Sequence, residues 1–248
     1  MFNKSSIFAK RKFAFLTFFI YLCKKLINME DNKKKDMDVE GVVRDIVRHF
    51  VWERNELFKK YIPTNDEETQ KKGSDYVLSD YAGKYPNLIV DEKAAFTYVN
   101  IYLPTFAFES LFKNRIGKIN DGWLINESNI TDAYALVWLN EANVPKDPNR
   151  NGRWDCSKIT RKTIMEFEVV LILKKTILEY LASKGLTIDM IRKISYEMYE
   201  KKIPYHRFNG IKFKYGTSRN DRETPVNVLI PRPILRELSI YKKILSIL

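Results

Sequence analysis

The sequence predicts an α/β (α+β) chain with a mixed central β-sheet flanked by helices. Three observations carry this. Segments with helical spacing alternate along the chain with short β-branched runs. Two such runs bracket a glycine turn at 83–86 and read as a hairpin-like pair. The run 131–139, Thr-Asp-Ala-Tyr-Ala-Leu-Val-Trp-Leu, is long and apolar enough for the centre of a sheet. With 248 residues, 45% of them apolar and 13% aromatic, the chain suffices for one large domain, or one core with an appended subdomain.

The elements follow in order. Apolar residues at 39, 42, 43, 46, 47 and 50 predict a first helix, with Asp38 as N-cap, continuing through 53–60 to a stop at Pro63. The polar stretch 64–73 reads as a loop, 74–78 as a short strand and 87–95 as the best strand in the chain. Pro104 opens an aromatic-rich helix over 105–112, whose Phe106–Phe112 stretch reads as core packing, and 122–125 and 131–139 follow as strands. A long polar connection spans 143–158. Helices are expected over 164–184, ending at Gly185, and over 188–201, stopped by Pro204. Strands at 211–215 and 226–230 flank an Arg/Asp/Asn loop, and Pro231 and Pro233 introduce a last helix over 234–247.

Charge divides the chain. The net is +12, yet residues 29–149 hold 16 Lys and Arg against 21 Asp and Glu, while residues 150–248 hold 21 against 10. An enzyme that collects metal ions in one part and phosphates in another has this pattern. Two cysteines, Cys23 and Cys156, and two histidines, His49 and His206, lack metal-ligand spacing, which argues against a zinc site or a disulfide framework and fits a reducing cytoplasm.

Residues 1–28 form an apolar extension. The run 13–23 is bordered by Lys and Arg, and its eleven residues fall short of the roughly 20 that a membrane span needs. It has the length of a signal-peptide core but lacks a small-residue cleavage site; alternatively Met29 is the true start. The remainder divides into a core, 29–142, and a basic part, 143–248, that completes the fold.

The chemistry concentrates on the hairpin. Asp91 and Lys93 share one face of the second strand and Glu92 takes the other. Antiparallel pairing brings Asp75 toward Asp91, and two converging carboxylates suit a hard divalent cation. A lysine beside them orients or deprotonates an attacking water and offsets charge on a phosphate. A one-residue shift in register would substitute Glu92 for Asp91, and Asp80 competes with Asp75. Tyr98, Tyr102, Thr131 and Asp132 are candidates for the edge of the site.

Ser74-Asp75-Tyr-Val-Leu, a spacer with a glycine turn, and Ile89-Val-Asp91-Glu-Lys93 resemble the PD-(D/E)xK nuclease superfamily, to which restriction endonucleases and Holliday-junction resolvases belong. The resemblance covers about 38–139. It departs from the pattern at Ser74, where a proline is usual, and at Glu92, often apolar. It implies a restriction-endonuclease-like core, Asp75 and Asp91 as ligands of Mg²⁺, and Lys93 as the water-orienting group. It also implies a glutamate from the first helix, for which Glu40 fits best, although a first-turn acid is equally at home beside the helix dipole.

In the basic part, lysines and arginines interleave with aromatics, which suits a phosphate-tracking surface. Arg207, Lys212 and Lys214 belong to it, and loop 216–224 offers Arg219 and Arg222 for guanine and Asn220 for adenine. The expected function is a Mg²⁺-dependent endonuclease of type II restriction kind. Its partners would be double-stranded DNA, a second copy of the chain and a cognate methyltransferase. The alternatives are a non-catalytic nucleic-acid-binding protein on a degenerate nuclease fold and, from residues 1–28 alone, a membrane-associated or exported protein.

Overall fold

The computed structural model describes residues 37–114, 116–148, 152–216 and 224–247. The apolar extension and the loop residues Arg219, Asn220 and Arg222 lie outside the described residues. Among the described residues the chain is a mixed α+β protein with two sheets and five helices. The first sheet has the order β1 (Lys60–Pro63), β2 (Tyr76–Tyr81), β3 (Tyr85–Ala94), β6 (Ala133–Ala142), β7 (Ile164–Leu173) and β11 (Tyr241–Ser246), and the second has the order β5 (Ile119–Asp121), β4 (Thr105–Lys113), β10 (Thr224–Pro231), β9 (Ile211–Tyr215) and β8 (Tyr205–Phe208). In the first sheet only β3 and β6 run parallel; every other pairing is antiparallel.

Helix α1 spans 37–52 and buries Val39, Val43, Ile46 and Val47 as its spacing predicts. Its last turn, Arg48–Trp52, is a π-helix, and Val51 and Trp52 are both buried there. The helix stops at this point rather than running on to residue 60. Lys60–Pro63 is instead β1, paired with β2 (Tyr76–Tyr81) at the sheet edge, where a proline is tolerated. The predicted loop at 64–73 holds one short helix, α2 (Glu67–Lys71), capped by the Asp66 side chain on Thr69 N.

The hairpin is present: β2 pairs antiparallel with β3 (Tyr85–Ala94). Thr105–Lys113 is a strand, β4, and not a helix. Phe106, Phe108 and Ser110 are buried while Ala107 and Glu109 are not, a period of two that aromatics on a pleated face favour. β5 is Ile119–Asp121, and the expected strand at 122–125 is a turn closed by Leu124 N and Ile125 N on the carbonyls of Glu109 and Gly122. β6 (Ala133–Ala142) lies centrally, between β3 and β7.

The segment 164–184 divides into β7 (Ile164–Leu173) and α3 (Lys174–Ser183). β7 is covered on both faces, so it reads as a continuous apolar run that periodicity cannot separate from a buried helix. Its Phe167, Val169 and Leu171 enter the core shared with α1; Val170 and Ile172 enter the core shared with α3, α4 (Ile188–Glu200) and the second sheet. β8 (Tyr205–Phe208), β9 (Ile211–Tyr215) and β10 (Thr224–Pro231) complete that sheet.

The last predicted helix is cut short. α5 spans Arg232–Leu238, and Tyr241–Ser246 forms β11 on the otherwise open edge of β7. α5 is fastened from below: Glu168 of β7, 1% exposed, accepts from Arg232 Nε at 2.7 Å and from Arg236 Nε and Nη2 at 2.5 and 2.7 Å. The Arg232 guanidinium also lies 4.7 Å from the ring centres of Tyr102 and Trp138. Among the described residues no helix is long and apolar enough to cross a membrane.

Candidate functional site

The antiparallel register of β2 and β3 sets the site. Tyr76 lies opposite Val90, and Asp75 N donates to Val90 O at 2.8 Å, so Asp75 comes to Asp91 at the end of the ladder. Its carboxylate crosses between the strands: Oδ2 accepts from Glu92 N at 2.7 Å, and Oδ1 accepts from Arg44 Nη2 at 2.7 Å. Asp91 is buried, and its Oδ1 lies 2.7 Å from Lys93 Nζ. These groups line a cavity of about 390 Å³, walled on the far side by Phe106 and Ala107 of β4 and by Trp123.

Asp91 titrates at about 6: burial pushes it up, Lys93 pulls it back, and the neighbouring Asp75 charge pushes it up again. Burial disfavours the Lys93 ammonium, but Asp91, Asp75 and Glu40 outweigh this and hold its pKa above the usual lysine value. Lys93 therefore stays charged near neutrality. A charged Lys93 suits the orienting of a water.

Glu92 takes the opposite face of β3, toward α1, as strand alternation requires. It is raised to about 8, first by burial, with Arg44 opposing and Asp75 adding to the rise. Tyr76 OH donates to its Oε2 at 3.3 Å and in turn accepts from Trp52 Nε1 at 3.0 Å. Glu92 thus has the partners that a buried acid needs. Asp91, not Glu92, is the acid that pairs with Lys93.

Glu40 lines the same cavity, as its place on the first helix implied. Arg44, one turn further along that face, was not singled out from the sequence, although its i+4 spacing from Glu40 carries the signal. Trp123, whose ring centre is 5.6 Å from Lys93 Nζ, had no signal at all. It arrives on the turn that begins at Gly122, where a Cβ would stand 2.5 Å from Glu109 O. Tyr98 reaches the cavity, whereas Tyr102, Thr131 and Asp132 do not line it. Tyr102 packs on Arg232, Thr131 Oγ1 donates to Gly73 O, and Asp132 accepts from Ile89 N. Asp80 lies toward the other end of β2 and pairs with Lys59.

Arg207 and Lys212 are exposed and Lys214 half-exposed on the β8–β9 hairpin. Among the described residues, no group of three or more His, Cys, Asp or Glu side chains forms a metal cluster. The carboxylates that line the cavity are those of Glu40, Asp75, Asp91 and Glu92. No family model, no curated protein and no solved structure matches the chain.

Proposed function

We propose that the chain is a metal-dependent endodeoxyribonuclease of the restriction type, acting on double-stranded DNA in the cytoplasm. The observation that carries this reading is the meeting of Asp75 and Asp91 at one cavity, with Lys93 on Asp91 and Glu40 beside them. Two carboxylates that meet at one cavity suit Mg²⁺, a hard cation that takes oxygen ligands and keeps several waters. Asp75 and Asp91 would hold the ion, which when bound supplies Lewis-acid polarisation of the phosphate and of water.

The chain's own groups do the rest. Arg44 and the Glu92 amide fix the Asp75 carboxylate so that it does not turn away from Asp91. The Lys93 ammonium orients a water and stabilises negative charge that develops on the phosphoryl oxygens. Phe106 and Trp123 keep the cavity partly apolar, which strengthens those interactions. A restriction role brings in a cognate methyltransferase, and cutting both strands of a symmetric site calls for a homodimer.

The test is incubation of plasmid and phage DNA with the protein in Mg²⁺ or EDTA, alongside Asp91→Ala and Lys93→Ala. Discrete Mg²⁺-dependent fragments, absent with both variants while DNA binding persists, are the expected result. Undiminished cutting by both variants would refute the site. A second reading, a non-catalytic DNA-binding protein on a nuclease-like scaffold, draws on the ion pair that already engages Asp75 with Arg44. It expects salt-dependent binding and no metal-dependent cutting.

A further inference from the structure

The second sheet has one buried and one open face, and the pairing register shows what the open face carries. Arg207 lies opposite Lys212, Lys212 opposite Leu229, and Leu229 opposite Ala107. This row crosses four strands, about 14 Å at the usual strand spacing, and Ala107 at its end is a wall of the Asp75–Asp91 cavity. The alternate row on the other face (His206, Phe213, Val228, Phe108) turns toward the core, where the last three are fully buried. The neighbouring open row begins with Tyr205 and Lys214 and runs to Asn227 and Glu109.

Neither Arg207, Lys212 nor Lys214 has an ion-pair partner among the described residues, in contrast to Lys59, Lys71, Lys72, Arg192 and Lys201, each of which is paired. Unpaired cations on one exposed sheet face repel one another. Arg207, on the edge strand β8, also keeps that edge from pairing with other chains, but Lys212 and Lys214, on the interior strand β9, have no edge to protect.

We infer that the open face of the second sheet is the track on which a DNA phosphate backbone lies as it enters the cavity, held by Arg207, Lys212 and Lys214. The inference takes its substrate class from the nuclease reading. The row is positive at Arg207 and Lys212 and runs on over uncharged Leu229 to small Ala107, which lines the same cavity as Asp75 and Asp91. A phosphate held over β9 would therefore place a neighbouring stretch of the same backbone above Asp75 and Asp91. The exposed Tyr205 ring flanks the track, where a base or sugar can rest on it.

The test measures binding of a short labelled DNA duplex by the full chain in EDTA across a range of NaCl concentrations. One variant carries Arg207→Gln, Lys212→Gln and Lys214→Gln together. A charge-matched control carries Lys60→Gln, Lys84→Gln and Lys243→Gln, all exposed and remote from the row. The plot of log affinity against log salt should be shallower by about 2.7 in the hairpin variant, about 0.9 for each phosphate that is no longer neutralised, and unchanged in the control. Thermal melts of both variants verify that they are folded. Equal slopes in the two variants overturn the track. Cutting by the hairpin variant at wild-type KM also overturns it and leaves the nuclease reading standing. Weakened binding confined to the hairpin variant, in a protein that cuts no DNA, supports the track and overturns the nuclease reading.

Discussion

Glu92 makes the stability of this chain fall as pH rises. Its carboxyl titrates near 4.5 when unfolded and at about 8 when folded. Between those values the folded state holds a proton that the unfolded state has released, so folding loses stability with each step upward in pH. From 4.5 to 7 is 2.5 pH steps at 1.36 kcal/mol each, about 3 kcal/mol at full effect. The carboxyl opens partly onto the cavity, where solvent screens it, and about half of that, 1–2 kcal/mol, is expected. Asp91, raised to about 6, adds a smaller loss in the same direction between pH 4 and 6. Glu92→Gln keeps an acceptor for Tyr76 OH and removes the charge. Urea denaturation at pH 5 and pH 8 should find the wild type less stable at the higher pH and the variant nearly indifferent. A wild type more stable at pH 8, or a variant with the wild-type slope, would refute the burial argument for this carboxyl.

Two further perturbations follow from the geometry. Glu168→Gln leaves Arg232 and Arg236 against a neutral partner in a buried setting, and a loss of about 3 kcal/mol is expected, read as a lower denaturation midpoint. Asn100 has φ +58, and its amide both donates to Ala142 O (2.8 Å) and accepts from Ala142 N (2.6 Å). Asn100→Ala should cost about 2 kcal/mol, from the missing hydrogen bonds and the left-handed backbone, and Asn100→Gly should recover part of it in the same melts.

What the sequence disclosed depended on how each segment is buried. The hairpin of β2 and β3 was legible because it is local: strand, glycine turn, strand. α1 and α4 were legible because each covers one face of a sheet and carries a 3.6-residue stripe. β7 was not, since burial on both faces erases the alternation that marks a strand. β11 was misread because it forms on a sheet edge supplied by the distant β7, and β1 because it is four residues that end in a proline beside β2, so pairing and not local preference decides both. β4 did carry a visible signal in Phe106-Ala-Phe108, masked by the expectation that Pro104 opens a helix. At the site, Asp75, Asp91 and Lys93 followed from register, and Glu40 from its place on the first helix. Arg44 was within reach by i+4 spacing. Trp123 was not, because a tertiary turn brings it in.

β4 walls the cavity, yet its long partner is β10, which pairs Pro231 with Thr105. On a ribosome adding roughly 5–20 residues per second, some 120 residues separate the two, a delay of about 6–24 s. During that interval the acidic hairpin is already complete while the strand opposite it lacks its long edge partner. The wall of the site is therefore completed late in synthesis, and the nascent chain needs to keep the open edge of β4 from pairing elsewhere until β10 arrives.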